Sequence, residues 1–214
     1  MSFIEFVSKN YNEILKSLVR HIELVGISIL IGILISIPLG IFLTRHKRVA
    51  GPVLALAGTI QTIPGLVMLG FALVLIGIGM LPAIIVLTLY AILPILRNTY
   101  TGITEVDKSY TEASRGIGMT NMQTLFKVEI PIALPTIITG IRLSTVYIVS
   151  WATLAGLIGA GGLGDLIWTG LSTYNTKYIL AGAVPSAILA FILNGLIGLL
   201  ERILTPRGLR RSRI

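Results

Sequence analysis

The residues best suited to a specific chemical role gather in one polar insert, SYTEASRGIGMTN (residues 109–121), inside a chain that is 54% hydrophobic. Glu112 supplies a charge there, and the neighbouring Ala113 and Ser114 are too small to fill space themselves. Small side chains let another surface approach a helix backbone closely. The insert therefore has the composition of a docking surface, although an ordinary connecting segment could share these local features.

Two repeated spacings predict that the insert is helical. Ser109 precedes Glu112 by three residues, and Thr120 precedes Gln123 by three. In such capping boxes each side chain satisfies a free backbone N–H group of the first helical turn. Gly116 and Gly118 lie between the two boxes, where a helix end accepts a residue with positive φ. We therefore expect short helices over residues 111–115 and 121–129.

Two glycine motifs are weaker candidates for nucleotide binding. GITEVDKS (102–109) differs from a phosphate-binding loop because Asp107 stands where glycine is required, and a carboxylate there would repel phosphate. GAGGLG (159–164) follows an apolar run and lacks the surrounding βαβ unit of a dinucleotide site. We expect no nucleotide site, and we interpret GAGGLG as a flexible turn.

Catalytic and metal chemistry have little support. The chain has no cysteine, and its two histidines, His21 and His46, lie at opposite ends of the first apolar run, too far apart to share a metal. The acidic residues lie at or near the ends of apolar runs, for example Glu23, Asp165 and Glu201. Ion-coupled carriers usually keep an ionisable group in the membrane interior. None is evident here.

Composition places these residues in a membrane protein. Charged residues make up 12% of the 214 residues, about half the usual share of a soluble domain. Several charge-free runs reach the ~20 residues that cross a bilayer. We predict an all-α polytopic membrane protein with about five spans, near residues 24–44, 53–76, 82–97, 132–157 and 178–200.

The positive-inside rule predicts the orientation. With the loop after the first span in the cytoplasm, thirteen of the 17 basic residues lie on that side, provided that Arg142 reaches back to the interface. The N-terminus is then outside and the C-terminus cytoplasmic. The predicted non-spanning parts are an outer amphipathic segment (1–22), a cytoplasmic loop (98–131), an outer loop (158–177) and a basic cytoplasmic tail (202–214). The +8 net charge therefore reflects topology and contact with membrane lipid, and we expect no nucleic-acid partner.

The spans contain candidate breaks. Pro38, Pro64 and Pro94 each remove a backbone hydrogen bond within an apolar run, which is tolerated where protein or a water-lined cavity satisfies the freed carbonyl. Gln61 and Thr62 lie close before Pro64 and could either repair the packing or line a solute path. Both interpretations stay open, as they do for the aromatic residues at membrane depth, Tyr90, Tyr147 and Trp151.

The polar insert resembles the EAA motif of bacterial ABC importer permeases. That motif has E-A-A, three residues, G, nine residues and then I-x-L-P, and here Ser114, Val128 and Ile130 replace residues of similar size or apolarity. The resemblance implies coupling helices that bind a cytoplasmic ATPase. The implied coupling residues are Glu112, Ala113, Ser114, Gly118, Val128, Ile130 and Pro131.

Segments along nearly the whole chain, such as QTIPG, LPILRNTYTGI and GAGGLGDLI, resemble permeases of osmoprotectant importers, which carry glycine betaine, carnitine or choline. Gly65 departs from that group, which more usually has Ser there. The resemblance implies the type I importer permease fold in a bacterial cell membrane. It also implies an outer gate loop near a docked solute-binding protein, with candidate residues Gly159, Gly161, Gly162, Gly164 and Asp165.

About five spans make too thin a bundle for a gated solute pathway, so we expect a second permease subunit, identical or related. Energy must come from a partner ATPase dimer that binds ATP and Mg, since this chain shows no cofactor site. The alternatives are a stand-alone channel or secondary carrier, or an ABC permease for another amino-acid or amine solute. Tyr90, Tyr147, Trp151 and Trp168 are the aromatic candidates near membrane depth, and they come from separate segments. They make a poor cage for a quaternary ammonium, so we predict no tight solute site in this chain.

Overall fold

The computed structural model describes residues 2–205, and over that range the chain forms helices and no strands. The predicted tail residues 206–214 lie outside the described residues. The helices are α1 (Phe3–Lys9), α2 (Tyr11–Arg45), α3 (Lys47–Thr62), α4 (Gly65–Ile76), α5 (Met80–Thr104), α6 (Lys108–Gly116), α7 (Asn121–Thr124), α8 (Ile130–Ala155), α9 (Leu163–Ser172) and α10 (Thr176–Leu204). A π-helical segment, Leu125–Glu129, joins α7 to α8.

Four of the crossings are long apolar helices: α2, α5, the helical stretch Asn121–Ile158, and α10. The fifth is a bent pair, because α3 and α4 meet at an angle of 91°. Beyond α4, Gly79 donates its N–H to the carbonyl of Ile158. Ile158 lies at one end of the bundle, and the α2–α3 connection lies at the other. The bent pair therefore crosses the bundle as one broken span, and the all-α architecture with about five spans is confirmed over the described residues.

The second span, predicted over 53–76 with a candidate break at Pro64, is broken at that residue. Pro64 has no N–H to donate, and the residue before it, Ile63, is extended (φ −69°, ψ 129°), as proline demands of its predecessor. The expected breaks at Pro38 and Pro94 were wrong, because α2 and α5 continue through both. Near Pro94, the hydroxyls of Ser36 and Ser144 donate to the carbonyls of Ile92 (3.2 Å) and Ala91 (2.7 Å).

The helices α2, α5 and α8 form the centre of the bundle because small residues let their backbones approach. A Cβ placed on Gly32 would lie 3.0 Å from the Cβ of Ala91, and one on Gly140 would lie 2.8 Å from the carbonyl oxygen of Pro94. The opening amphipathic segment is two helices rather than one, with a break at Asn10. Its buried anchor is Phe6, whose ring packs edge-on against Tyr178.

Candidate functional site: the 98–131 loop and the broken span

The end of the 98–131 loop is tied to the first span. Arg45, the last residue of α2, donates to the carboxylate of Glu129, the last residue of the π-helical segment. The Glu129 side chain is 8% exposed, whereas that of Arg45 is 43% exposed. The pair places the loop at the end of the bundle where α2 ends, which is the predicted cytoplasmic end.

Asp107 caps the first short helix of the loop, so the expected Ser109–Glu112 capping box was wrong. The Asp107 carboxylate accepts the N–H of Ser109 at 2.8 Å, and α6 begins at Lys108, three residues before the predicted start at 111. Those hydrogen bonds to Ser109 lower the pKa of Asp107. The Thr120–Gln123 capping box at α7 is confirmed in both of its hydrogen bonds.

Ser114 joins the two short helices, whereas its neighbours point outward. The buried Ser114 hydroxyl donates to the Thr111 carbonyl (2.8 Å) and lies 2.9 Å from the Thr124 hydroxyl. Ser114 is therefore unavailable to a docking partner, while Glu112 and Ala113 are exposed. Gly118 makes the turn between the helices at φ +84°, a conformation that favours glycine.

The loop presents an unusual apolar surface to its surroundings. Ile117 is 76% exposed and Met122 is 63% exposed, and Tyr110 and Phe126 are each more than half exposed. All four lie on the same loop as the exposed Glu112–Ala113 pair. Contiguous apolar side chains rimmed by polar ones mark interaction surfaces.

Beyond this surface, the chain continues into the membrane without an interruption. The predicted helix 121–129 is a four-residue α-helix followed by the π-helical segment, and α8 begins directly afterwards at Ile130. Val128, Ile130 and Pro131 are half-buried at this junction, and Leu125 is buried against Ile103 and Ala133. Pro131 lies in the first turn of α8, where its missing N–H is not required.

A pair of stacked aromatic rings holds the broken span. Tyr90 and Trp151 lie 4.8 Å apart between ring centroids with an interplanar angle of 17°, and the Tyr90 hydroxyl donates to the carbonyl of Ile63. Trp151 also covers Gly65, since a Cβ on that glycine would lie 1.3 Å from the Trp151 Cζ3 atom. At the break, Tyr90 therefore satisfies the free carbonyl of Ile63, and Trp151 packs against Gly65.

The other predicted pore residues are not part of this arrangement. The Thr62 hydroxyl donates to Thr59 within its own helix (2.7 Å), and Gln61 is half-buried with no hydrogen bond from its side chain to any described residue. Tyr147 is 44% exposed and lies outside the stack. Sequence reasoning missed the role of Gly65 as the seat of Trp151, since a glycine after proline signals a turn but not the ring that covers it.

At the opposite end of the bundle, the glycines of the 158–177 loop form the predicted turn, and the turn is tightly packed. Gly159, Gly161 and Gly162 have φ between +69° and +87°. A Cβ on Gly162 would lie 3.1 Å from the buried His21 Nδ1 atom, and one on Gly164 would lie 2.2 Å from the carbonyl oxygen of Thr153. The loop also contains α9, which sequence reasoning did not foresee.

Asp165 lies in the first turn of α9 and faces inward. Burial raises the pKa of Asp165, although a backbone hydrogen bond from Gly161 opposes the shift. Beside it, a groove of about 760 Å³ separates α2 from the glycine turn. Lys16, Arg20 and Glu23 of α2 line the groove together with Asp165, so its walls carry both signs of charge.

Comparison with known proteins gives one consistent result. Residues 32–208 match the family model described as binding-protein-dependent transport system inner membrane component. The chain is 46% identical over 208 residues to the choline transport system permease protein OpuBB of Bacillus subtilis, covering 97% of this chain and 96% of the relative. It is 47% identical over 205 residues to the glycine betaine/carnitine/choline transport system permease protein OpuCB of the same organism, covering 96% and 94%. It is 45% identical to the carnitine transport permease protein OpuCB of Listeria monocytogenes, covering 99% and 97%.

The fold is shared with solved transporters. An inward-facing structure of the MetNI methionine ABC transporter aligns with a TM-score of 0.80 at 25% identity, covering 90% of this chain and 96% of that chain. A structure of an amino acid ABC transporter with histidines aligns with a TM-score of 0.74 at 20% identity, covering 94% and 98%. The five-span bundle, the polar loop at one end and the family match together establish that this chain belongs to the binding-protein-dependent transport system inner membrane components, the permease subunits of ABC importers.

Proposed function

We propose that this chain is the permease subunit of an ATP-driven importer for a quaternary-amine osmoprotectant: glycine betaine, carnitine or choline. The choice of solute is supported by relatives that match nearly the whole chain at 45–47% identity and are permeases of choline, glycine betaine/carnitine/choline and carnitine transport systems. The proposed partners are a cytoplasmic ATPase dimer that binds ATP and Mg, a second permease subunit and a solute-binding protein on the outer face.

The exposed surface of the 98–131 loop carries this proposal. Glu112 and Ala113 are exposed on α6, and Ile117 and Met122 are exposed on the same loop, so the loop offers a partner both charged and apolar side chains. We propose that the ATPase binds the residues of this surface. The shape of the loop is set by five other residues: Ser114, Gly118, Val128, Ile130 and Pro131. These residues would act through the loop geometry rather than through direct contact.

In this mechanism, nucleotide-driven movement of the ATPase halves displaces α6. The hydrogen bond between Ser114 and Thr124 transfers the displacement to α7, and the uninterrupted π-helical segment transfers it to α8. Arg45 and Glu129 carry part of it to α2. Trp151, on α8, then moves relative to Gly65, and this movement displaces the broken span.

The test of coupling is Glu112→Lys in the chain co-expressed with its ATPase and binding protein. Charge reversal at a docking surface costs several kcal/mol, so uptake of radiolabelled glycine betaine should fall by about tenfold or more, together with transport-linked ATP hydrolysis. Glu105→Lys is the matched control, because Glu105 is also exposed on this loop but lies outside the docking surface. It should leave both activities unchanged.

Two results would overturn the proposal. Normal uptake and coupled hydrolysis in Glu112→Lys, at normal expression, would remove the coupling role. Failure of an ATPase subunit to purify in stoichiometric amount with the wild-type chain would instead favour a stand-alone channel or carrier. The solute is tested separately, by uptake into vesicles containing the complex against a panel of quaternary amines.

A further inference from the structure

One charge lies within the spanning part of the bundle and is not used by the proposed mechanism. Arg142 lies on α8 twelve residues after Ile130, about 18 Å along the helix. Its Nε donates to the Asn194 side-chain oxygen on α10 at 2.5 Å. The sequence predicted that Arg142 must reach back to the interface from within a span. An intramembrane charge is costly, and it commonly marks a functional site.

The Arg142 side chain extends along α10 toward that helix's C-terminal end. Its Cζ lies 3.8 Å from a Cβ placed on Gly198, one turn beyond Asn194. Gly198 lies six residues before Leu204, about 9 Å from the end of α10. The end of α10 and the start of α8 lie at the same end of the bundle as the Arg45–Glu129 pair. Arg142 thus directs its charge toward the lipid headgroups of that leaflet, as long basic side chains do.

Most of the hydrogen-bonding capacity of Arg142 has no protein partner. A guanidinium has five N–H donors. Within residues 2–205, only the Nε of Arg142 has a protein acceptor. The terminal nitrogens are not among the buried, unpartnered atoms of the described chain, so they reach the molecular surface. That surface can present a pair of parallel donors to a phosphate or a carboxylate.

The surroundings favour a lipid phosphate. Arg202 is exposed one turn after Gly198, so a second cation follows toward the headgroup layer. Between and beside the two cations, α10 exposes apolar side chains that acyl chains can cover: Leu196, Leu199, Leu200 and Ile203. A second identical copy is a poorer occupant, because α8 has no acidic residue and α10 has only Glu201. Such a contact would bring two guanidinium groups together.

We propose that Arg142, held by Asn194 beside Gly198 and assisted by Arg202, binds the phosphate of an anionic phospholipid in the leaflet at the C-terminal end of α10. The Asn194 amide fixes the guanidinium without neutralising it, so the positive charge remains available to the lipid. This site is independent of the solute that the transporter carries and of its coupling to an ATPase.

The experiment is native mass spectrometry of the full-length chain released from mixed micelles of equimolar phosphatidylglycerol and phosphatidylcholine. Wild type should retain phosphatidylglycerol about tenfold more often than phosphatidylcholine, because the choline group of phosphatidylcholine offsets the phosphate charge that Arg142 and Arg202 attract. Arg142→Gln should abolish the preference. Arg48→Gln, which removes an exposed arginine from α3 at the same end, should retain it.

Asn194→Asp is the more demanding variant, because it keeps the guanidinium and gives it an internal counter-charge. We expect it to lose the lipid preference while its thermal unfolding midpoint stays at or above that of wild type. An unchanged preference in both Arg142→Gln and Asn194→Asp would overturn the proposal. Displacement of the lipid by millimolar inorganic phosphate would assign the site to free phosphate instead. Loss of dimer in Arg142→Gln with lipid retention intact would assign it to a second copy.

Discussion

At the scale of single residues, the packing of Trp151 against Gly65 is the most constrained contact in the broken span. The indole occupies the space that any side chain at Gly65 would need, and the same ring is stacked on Tyr90. The osmoprotectant importer permeases that this sequence resembles more usually have serine at this position. Serine here would require a different position of the indole, so the stack in this chain depends on glycine.

We therefore predict that Gly65→Ser displaces Trp151 from its stack. In a Trp168→Phe background, which leaves a single tryptophan, the emission should shift to the red and acrylamide quenching should increase. Overpacking of this kind costs about 1–3 kcal/mol of folding stability. Gly70→Ala is the matched control on the same helix, since a Cβ there meets nothing within 4 Å. Identical spectra for the two variants would show that the indole is not held by this contact.

At the scale of helices, the Arg45–Glu129 pair is the clearest link between the first span and the loop. The two partners differ in exposure, with 43% of the Arg45 side chain and 8% of the Glu129 side chain accessible. Removing the exposed partner leaves a buried carboxylate uncompensated. Removing the buried partner leaves a guanidinium that water can solvate.

This asymmetry predicts that Arg45→Gln destabilises the chain more than Glu129→Gln. We expect about 1–3 kcal/mol for Arg45→Gln, below the range for fully buried pairs because Arg45 is partly solvated, and less than about 1 kcal/mol for Glu129→Gln. Hydrogen exchange over residues 121–130, with thermal unfolding in detergent, measures both. Arg48→Gln, an exposed neighbour with no ion pair among the described residues, should match wild type. Equal effects of the two pair variants would contradict the assigned burial.

At the scale of the whole molecule, the aromatic residues are arranged for packing rather than for binding a cation. A quaternary ammonium is recognised by several aromatic faces around the charge. Tyr90 and Trp151 present their faces to each other and to Gly65, while Tyr147 is separately exposed. Solute affinity would then reside in the binding protein, and the permease would pass released solute.

The resulting prediction is that the purified permease, without its binding protein, binds glycine betaine, carnitine and choline no more tightly than about millimolar, ~4 kcal/mol. Titration calorimetry in detergent measures this directly. A micromolar site that is lost in Trp151→Ala would refute the prediction, and it would place solute selection in this chain.

Hydropathy, length and motif spacing determined the class, the number of crossings and the position of the polar loop. These features are local. An apolar run of ~20 residues in lipid must satisfy its own backbone hydrogen bonds, so it forms a helix regardless of its neighbours. The Thr120–Gln123 cap is equally local, because its two partners lie within one turn. The Ser109–Glu112 spacing failed because Asp107 offered the first N–H groups a nearer acceptor.

The contacts that define the candidate sites depended on tertiary structure. Pro64 breaks its span while Pro94 does not, although both remove a backbone N–H. The glycine after Pro64 indicates a turn, but the contacts that hold the bend, Tyr90 with Ile63 and Trp151 with Gly65, come from other helices. Tyr90 reaches Ile63 from 27 residues away, Arg142 reaches Asn194 from 52, and Arg45 reaches Glu129 from 84. Such partners meet only once the helices have packed, so the residues around each partner in the sequence do not indicate which residue it will contact.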